Sequence, residues 1–128
     1  MNSIISMVEN ATRTLVSSYK RGESGETYYL NGERFAARYV VGGVSPALIF
    51  EGTDLGAHIV TGAVMSLIGD RLVRGTPVET VGYWIDEGKT YFDAGDTWDD
   101  LETALMFARN RGELAIWDRV TGEEVRVD

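Results

Sequence analysis

Apolar residues recur along this chain in two periods, and the switches between them mark out the elements. Over residues 3–20, Ile4, Ile5, Val8, Leu15 and Tyr19 fall on one side at helical spacing, with Thr12 a polar gap in that face. The other side is rich in Ser, Thr and Asn, which are poor helix formers, so this helix needs tertiary or intersubunit packing to persist. Residues 21–26 (RGESGE) are polar throughout and predict a flexible connection. Residues 27–30 and 34–41 then flank Asn31-Gly32, the dipeptide suited to a two-residue hairpin turn. Gly42-Gly43 predicts a second reversal, and residues 47–50 a third strand that begins after Pro46, which cannot donate to a ladder. Thr53 or Asp54 is placed to cap a helix reaching to about Ile68. Its apolar residues, from Leu55 through Ile59, Val64 and Leu67, cover most of its circumference and predict extensive burial. Gly69-Asp70 ends it, and a basic loop from Arg71 to Pro77 leads into a strand over residues 78–86.

The most sharply specified stretch is 83–127: strand, turn, strand, capped helix, strand, turn, strand. Thr97 is expected as the N-cap, with Asp100 at the third helical position reaching back to it. Asp99, Asp100 and Glu102 lie in the first turn, where the helix dipole favours negative charge. Leu101, Ala104, Leu105 and Ala108 form the apolar stripe, Arg109 and Arg111 suit the last turn, and Gly112 suits the left-handed position beyond it. Residues 114–117 and 123–127 read as strands around a Thr121-Gly122 turn. Residues 40–68 can be laid over 83–108 as strand, glycine turn, strand, acidic cap, helix, a weak internal repeat. The expected fold is therefore one α+β domain over residues 1–128: an antiparallel sheet of two ββα-like units plus a C-terminal hairpin. The helices lie on one face, and the N-terminal helix packs separately or in a dimer.

Composition adds mainly a charge layout. Residues 1–78 carry seven acidic and seven basic side chains, whereas 79–128 carry thirteen acidic and five basic, so the net charge of −8 belongs to the last fifty residues. Such a surface repels nucleic acid and anionic membranes and attracts basic proteins. No cysteine is present, which excludes disulfides and thiolate chemistry and fits a reducing compartment. The N-terminus has neither the basic segment nor the apolar run of a signal peptide, and no stretch reaches membrane-spanning length, so a cytoplasmic protein is expected.

Candidate chemistry is sparse. Asp93, Asp96, Asp99 and Asp100 crowd into eight residues, DAGDTWDD, but their spacing is not that of a calcium loop, and helix capping already accounts for them. His58 is the single histidine and has no partner that would make a zinc site or a triad. Ser45 and Ser66 lie in no nucleophile elbow, and the glycines follow no phosphate-loop or dinucleotide pattern. No cofactor, metal or catalytic residue is assigned. The aromatic residues are more informative: strand alternation sets Val81, Tyr83 and Ile85 against Gly82, Trp84 and Asp86, and Leu114 and Ile116 against Ala115 and Trp117. If helices cover the Tyr83 and Ile116 side, Trp84 and Trp117 lie on an open face beside Phe92, rimmed by Asp86, Asp118 and Glu124. An aromatic patch of that kind marks an interface.

The segments Trp84-Ile85-Asp86, Tyr91-Phe92-Asp93 and Ala115-Ile116-Trp117-Asp118 resemble a pattern in small uncharacterised accessory proteins of actinobacteria and their phages. The resemblance implies no particular activity; it implies a phage or mobile-element factor that acts by binding a host protein. The expected function is thus a non-enzymatic interaction protein. It would present Trp84, Asp86, Phe92, Asp93, Asp96, Asp99, Asp100, Glu102, Trp117 and Asp118 to a basic partner, with no direct contact to nucleic acid or membrane. The alternatives are a ligand-binding protein or enzyme with a carboxylate-lined pocket, and a self-assembling homodimer formed through residues 3–20.

Overall fold

The computed structural model describes residues 3–75 and 78–127, leaving aside the side chains of residues 3, 4 and 71. The element order is α1 (Ser3–Lys20), β1 (Gly25–Tyr29), a 3-10 turn (Glu33–Phe35), β2 (Tyr39–Val41), β3 (Leu48–Glu51), α2 (Ala57–Arg74), β4 (Thr80–Asp86), β5 (Lys89–Trp98), α3 (Leu101–Arg111), β6 (Ala115–Asp118) and β7 (Glu123–Arg126). All pairings are antiparallel, which gives the expected α+β class. The ten-residue β5 is the spine. Its first part pairs with β4 on one side and β3 on the other, and β1 extends β4; its last three residues pair with β2, which continues through β6 to β7. The seven-stranded sheet thus has two wings, β1-β4-β5-β3 and β5-β2-β6-β7.

Each wing has its own core. Over the first, α1 and α2 supply Ala11, Leu15, Tyr19, Val60, Val64, Leu67 and Ile68 against Val81, Tyr83, Phe92 and Ala94. Each large apolar side chain buried there contributes roughly 1.5–3 kcal/mol. A buried polar chain threads this core: the Tyr19 hydroxyl accepts from Leu55 N–H (3.0 Å) and shares a hydrogen bond with Thr90 Oγ1 (2.9 Å), which donates to the Gly52 carbonyl (2.8 Å). That chain ties α1 to β5 and to the approach to α2. The N-terminal helix is therefore part of the main core rather than a separate element, although Ile5 on its expected apolar face stays exposed and Ile4 lies outside the described side chains. Over the second wing, α3 packs Ala104 and Ala108 on Tyr39, Val41 and Ile116, with Trp98 stacked on Phe107 at 4.5 Å.

Several sequence expectations are corrected by this topology. Gly32 does turn the chain (φ 93°), with its N–H on the Tyr29 carbonyl, but no hairpin follows. β1 pairs with β4, and the chain crosses through the 3-10 turn to deliver β2 to the other wing. Residues 21–26 form a short turn and the start of β1, held by Arg21 to Glu23 at 2.8 Å, rather than a flexible connection. Gly42-Gly43 is no reversal: β2 and β3 lie end to end along the same edge of β5, with Val44 N–H on the Ala94 carbonyl. Of the two expected ββα units, the second is present as the β4–β5 hairpin followed by α3, whereas the first is not, because β2 and β3 pair with β5 and not with each other. α2 begins later than expected and runs through Gly69-Asp70 to Arg74, leaving Met65, Leu72 and Val73 exposed; residues 76 and 77 of the expected basic loop lie outside the described residues. Finally, Thr97 belongs to β5, and Asp100 is the cap of α3, accepting from Thr103 N–H at 2.9 Å. Gly112 takes the left-handed position as expected, at φ 74°.

Candidate functional site

The first wing has helices on one face only. Alternation along β3, β4 and β5 sends Leu48 and Phe50, Val81 and Tyr83, and Phe92 and Ala94 into the core, so Ile49, Gly82, Trp84, Tyr91 and Asp93 point the other way. Ile49 and Trp84 are the register partners of Tyr91 on either side of β5, which makes one cross-strand row, Ile49-Tyr91-Trp84. Trp84 stacks on Tyr91 with centroids 3.9 Å apart and planes 6° from parallel. Trp84 remains 43% exposed and Ile49 56% exposed. A ladder row of aromatic pairs stabilises a sheet by about 0.2–1 kcal/mol per pair, but here the rings also present a flat apolar surface to solvent. The next row, Asp86-Lys89-Glu51, holds one cation between two carboxylates (Lys89 to Glu51, 3.7 Å), and exposed Glu87 follows at the turn.

Two residues expected on this face are elsewhere. Phe92 pairs with Tyr83 and must share its inward orientation; it is fully buried and meets Phe50 edge-on at 5.7 Å. Trp117 is exposed, but it sits on β6 opposite Val40, which pairs with Thr97. Thr97 is six residues along β5 from Tyr91, about 20 Å of strand. The two tryptophans therefore occupy separate surfaces.

The acidic cluster is dispersed in the same way. Asp118 is buried, contrary to its expected place on a surface rim. Both its oxygens accept from Arg38, at 2.9 Å each, and that bidentate bond holds its carboxyl well below the usual range. Asp96 is likewise held bidentately by Arg111, at 2.8 and 2.7 Å. Asp100 is occupied by the cap, whose Thr103 N–H and hydroxyl lower its pKa. Of the ten residues expected at the surface, Asp86, Asp99, Asp100 and Glu102 are exposed carboxylates, Asp100 being engaged as the cap, and Trp84 and Trp117 are exposed aromatics.

Asp93 belongs to an arrangement the sequence did not disclose. It accepts from Gly43 N–H at 2.9 Å, where the β2–β3 edge swings away from β5. Glu113, just beyond α3, reaches the same place. A Cβ at Gly42 would collide with Asp93 Oδ2 and lie 2.9 Å from Glu113 Oε1, and one at Gly43 would lie 2.8 Å from Glu113 Oε2. Glycine is thus required at both positions so that two carboxyls can close on the backbone. Burial, then the charge of Asp93, pushes Glu113 up to about 7 against the opposing pull of Arg111. Burial also raises Asp93, opposed by the Gly43 and Ala94 N–H groups and by Arg111. Arg111 meanwhile donates to the Gly42 carbonyl at 3.2 Å. The signal available in the sequence was the Gly42-Gly43 pair, which reports a close approach; nothing in the spacing names Asp93 and Glu113 as what approaches.

Burial at this junction favours the protonated form of both carboxyls. Two hollows, of about 50 and 290 Å³, lie around Tyr29 and Gly32. Among the described residues no group of three or more His, Cys, Asp or Glu side chains could hold a metal, and no helix is long and apolar enough to cross a membrane. No protein-family model, curated protein or solved structure matches the chain.

Proposed function

We propose that this chain is a small acidic interaction protein, an accessory factor of a phage or mobile element that binds a basic host protein. The observation that carries this reading is the already stacked Trp84–Tyr91 pair, its Trp84 exposed beside an exposed Ile49 on the helix-free face of the first wing. Rigid aromatic groups bury large area at little entropic cost and dominate interface energetics. Glu51, Asp86 and Glu87 at one end of the row select for positive charge in the partner and speed its approach. The acidic first turn of α3 lies at the far end of β5 and takes no part in this surface. The chain's net charge of −8 disfavours direct contact with nucleic acid.

The test is affinity capture from the native cells with the wild-type chain and with a Trp84→Ala/Tyr91→Ala variant, washed at rising salt, with bound proteins identified by mass spectrometry. A stoichiometric basic protein is expected on the wild type, released by salt, and lost at least tenfold on the variant. Equal retention by the variant, or a partner without basic character, would discard the reading.

A further inference from the structure

The second wing ends in an unpaired strand. Among the described residues β7 pairs with β6 alone, in the register Ile116 to Val125 and Trp117 to Glu124. Val127 N–H donates to the Leu114 carbonyl at 3.0 Å, which fixes the phase of the ladder. Residues 123, 125 and 127 turn their backbone groups toward β6, so those of Glu124 and Arg126 point outward from the sheet edge. Side-chain alternation puts Val125 against the α3 core and Glu124 and Arg126 on the opposite, exposed face. Neither charge has an ion-pair partner among the described residues.

From this pattern we infer that β7 is a pairing edge for a second copy of the same chain, joined antiparallel about a two-fold axis through Val125. Outward-facing backbone groups can meet in three symmetric registers. Centring on residue 124 sets Glu124 against Glu124 and leaves both repelled; centring on 126 does the same with Arg126. Centring on Val125 sets each Glu124 opposite the partner's Arg126, twice over. The same register brings the two Val125 side chains together as a close, non-hydrogen-bonded pair on the core side, so the apolar layers under α3 become continuous. Backbone phase, charge and apolar pattern all select one register. Charged residues on an edge strand normally discourage pairing with other chains. Here their order makes the edge self-complementary and selective for its own copy. The contact is independent of the Trp84 face, which lies on the other wing, and a dimer would carry two such faces.

The strand has four residues, a small contact beside the ~800 Å² per partner of stable interfaces, so a weak dimer is expected. Sedimentation equilibrium of the full chain from micromolar to millimolar, at physiological salt, reads it directly. Arg126→Glu and Glu124→Arg should each weaken dimerisation at least tenfold, although they move the net charge in opposite directions. The double swap, Glu124→Arg with Arg126→Glu, should restore it. Both positions are exposed, and unchanged circular dichroism and melting temperature confirm that each variant is folded. A monomer mass throughout the range overturns the inference. So does a dimer indifferent to the single changes, or two single variants whose effects follow net charge with no recovery in the double swap.

Discussion

The wing under α1 and α2 closes over Leu15, Val60, Val64, Ile68 and Phe92, and the hydroxyls of Tyr19 and Thr90 are joined in one hydrogen-bonded chain within it. The wing under α3 has two alanines facing Tyr39, Val41 and Ile116, and guanidinium groups do much of the rest. Arg111 clamps Asp96 and the Gly42 carbonyl, Arg38 clamps Asp118, and Arg119 donates to the carbonyls of Glu33, Ala36 and Ala37 while lying 5.0 Å from the Tyr29 ring. The difference teaches where the acidic residues of the C-terminal part went. With less apolar surface to bury, the second wing is positioned by directed, charge-assisted hydrogen bonds, and two of the clamps, Arg111 on Asp96 and Arg38 on Asp118, consume a carboxylate each. Hydrophobic burial holds the first wing without constraining its far face, which leaves Trp84 and Tyr91 available.

The hardest test of this contrast is Phe92→Ala. Phe92 is buried on the shared strand β5, so its loss should cost about 3–5 kcal/mol and lower both wings together, read as one cooperative shift in denaturant unfolding. Separate transitions for the two wings would show that β5 does not couple them. Next in size is Arg111→Met, which keeps the aliphatic stem and leaves Asp96, Asp93 and Glu113 without their cation. A loss of about 2–3 kcal/mol is expected, with amide exchange accelerated in β2, β6 and α3 before β4. Uniform acceleration would dissolve the distinction between the wings.

The smallest effect is the most specific. Glu113 keeps its proton to about 7 in the folded chain, against 4.5 when unfolded, so folding takes up a proton between those values. Its contribution is fully present below 4.5 and is lost as the pH rises through about 7. Asp93, also raised, acts in the same direction, whereas the lowered Asp118 contributes above its ordinary pKa of 3.8 and is lost in acid. Glu113→Gln should therefore stabilise the protein at pH 8 by about 1 kcal/mol, after discounting for partial exposure, and by nothing at pH 4. Melting curves across that range would show the wild-type slope flattened; an unchanged slope would place the titration elsewhere.

Local signals were read correctly where one stretch of chain contains everything that decides the outcome. The bounds of α1, the C-cap at Gly112, the β4–β5 hairpin and the strand alternation of Val81, Tyr83 and Trp84 are set by spacing, left-handed glycines and side-chain period. These properties belong to neighbours in sequence. The α3 cap marks the limit of that legibility: Thr97 and Asp100 both carry capping chemistry, and β5 runs on to Trp98 because Thr97 is held across the sheet by the Glu79 carboxylate at 2.6 Å.

What the sequence alone determined is the α+β class, the number and type of most elements, the inward and outward alternation of Val81, Tyr83 and Trp84 along β4, and the concentration of negative charge beyond residue 78. Only the tertiary structure decided that Asn31-Gly32 begins a crossing, that Trp84 and Trp117 face different surroundings, that Phe92 is core, and that Asp96 and Asp118 are joints. The reason is physical. A turn dipeptide fixes a local bend but not which strand the chain meets next, and a carboxylate reads as surface charge until the fold brings a guanidinium from far along the chain to its two oxygens.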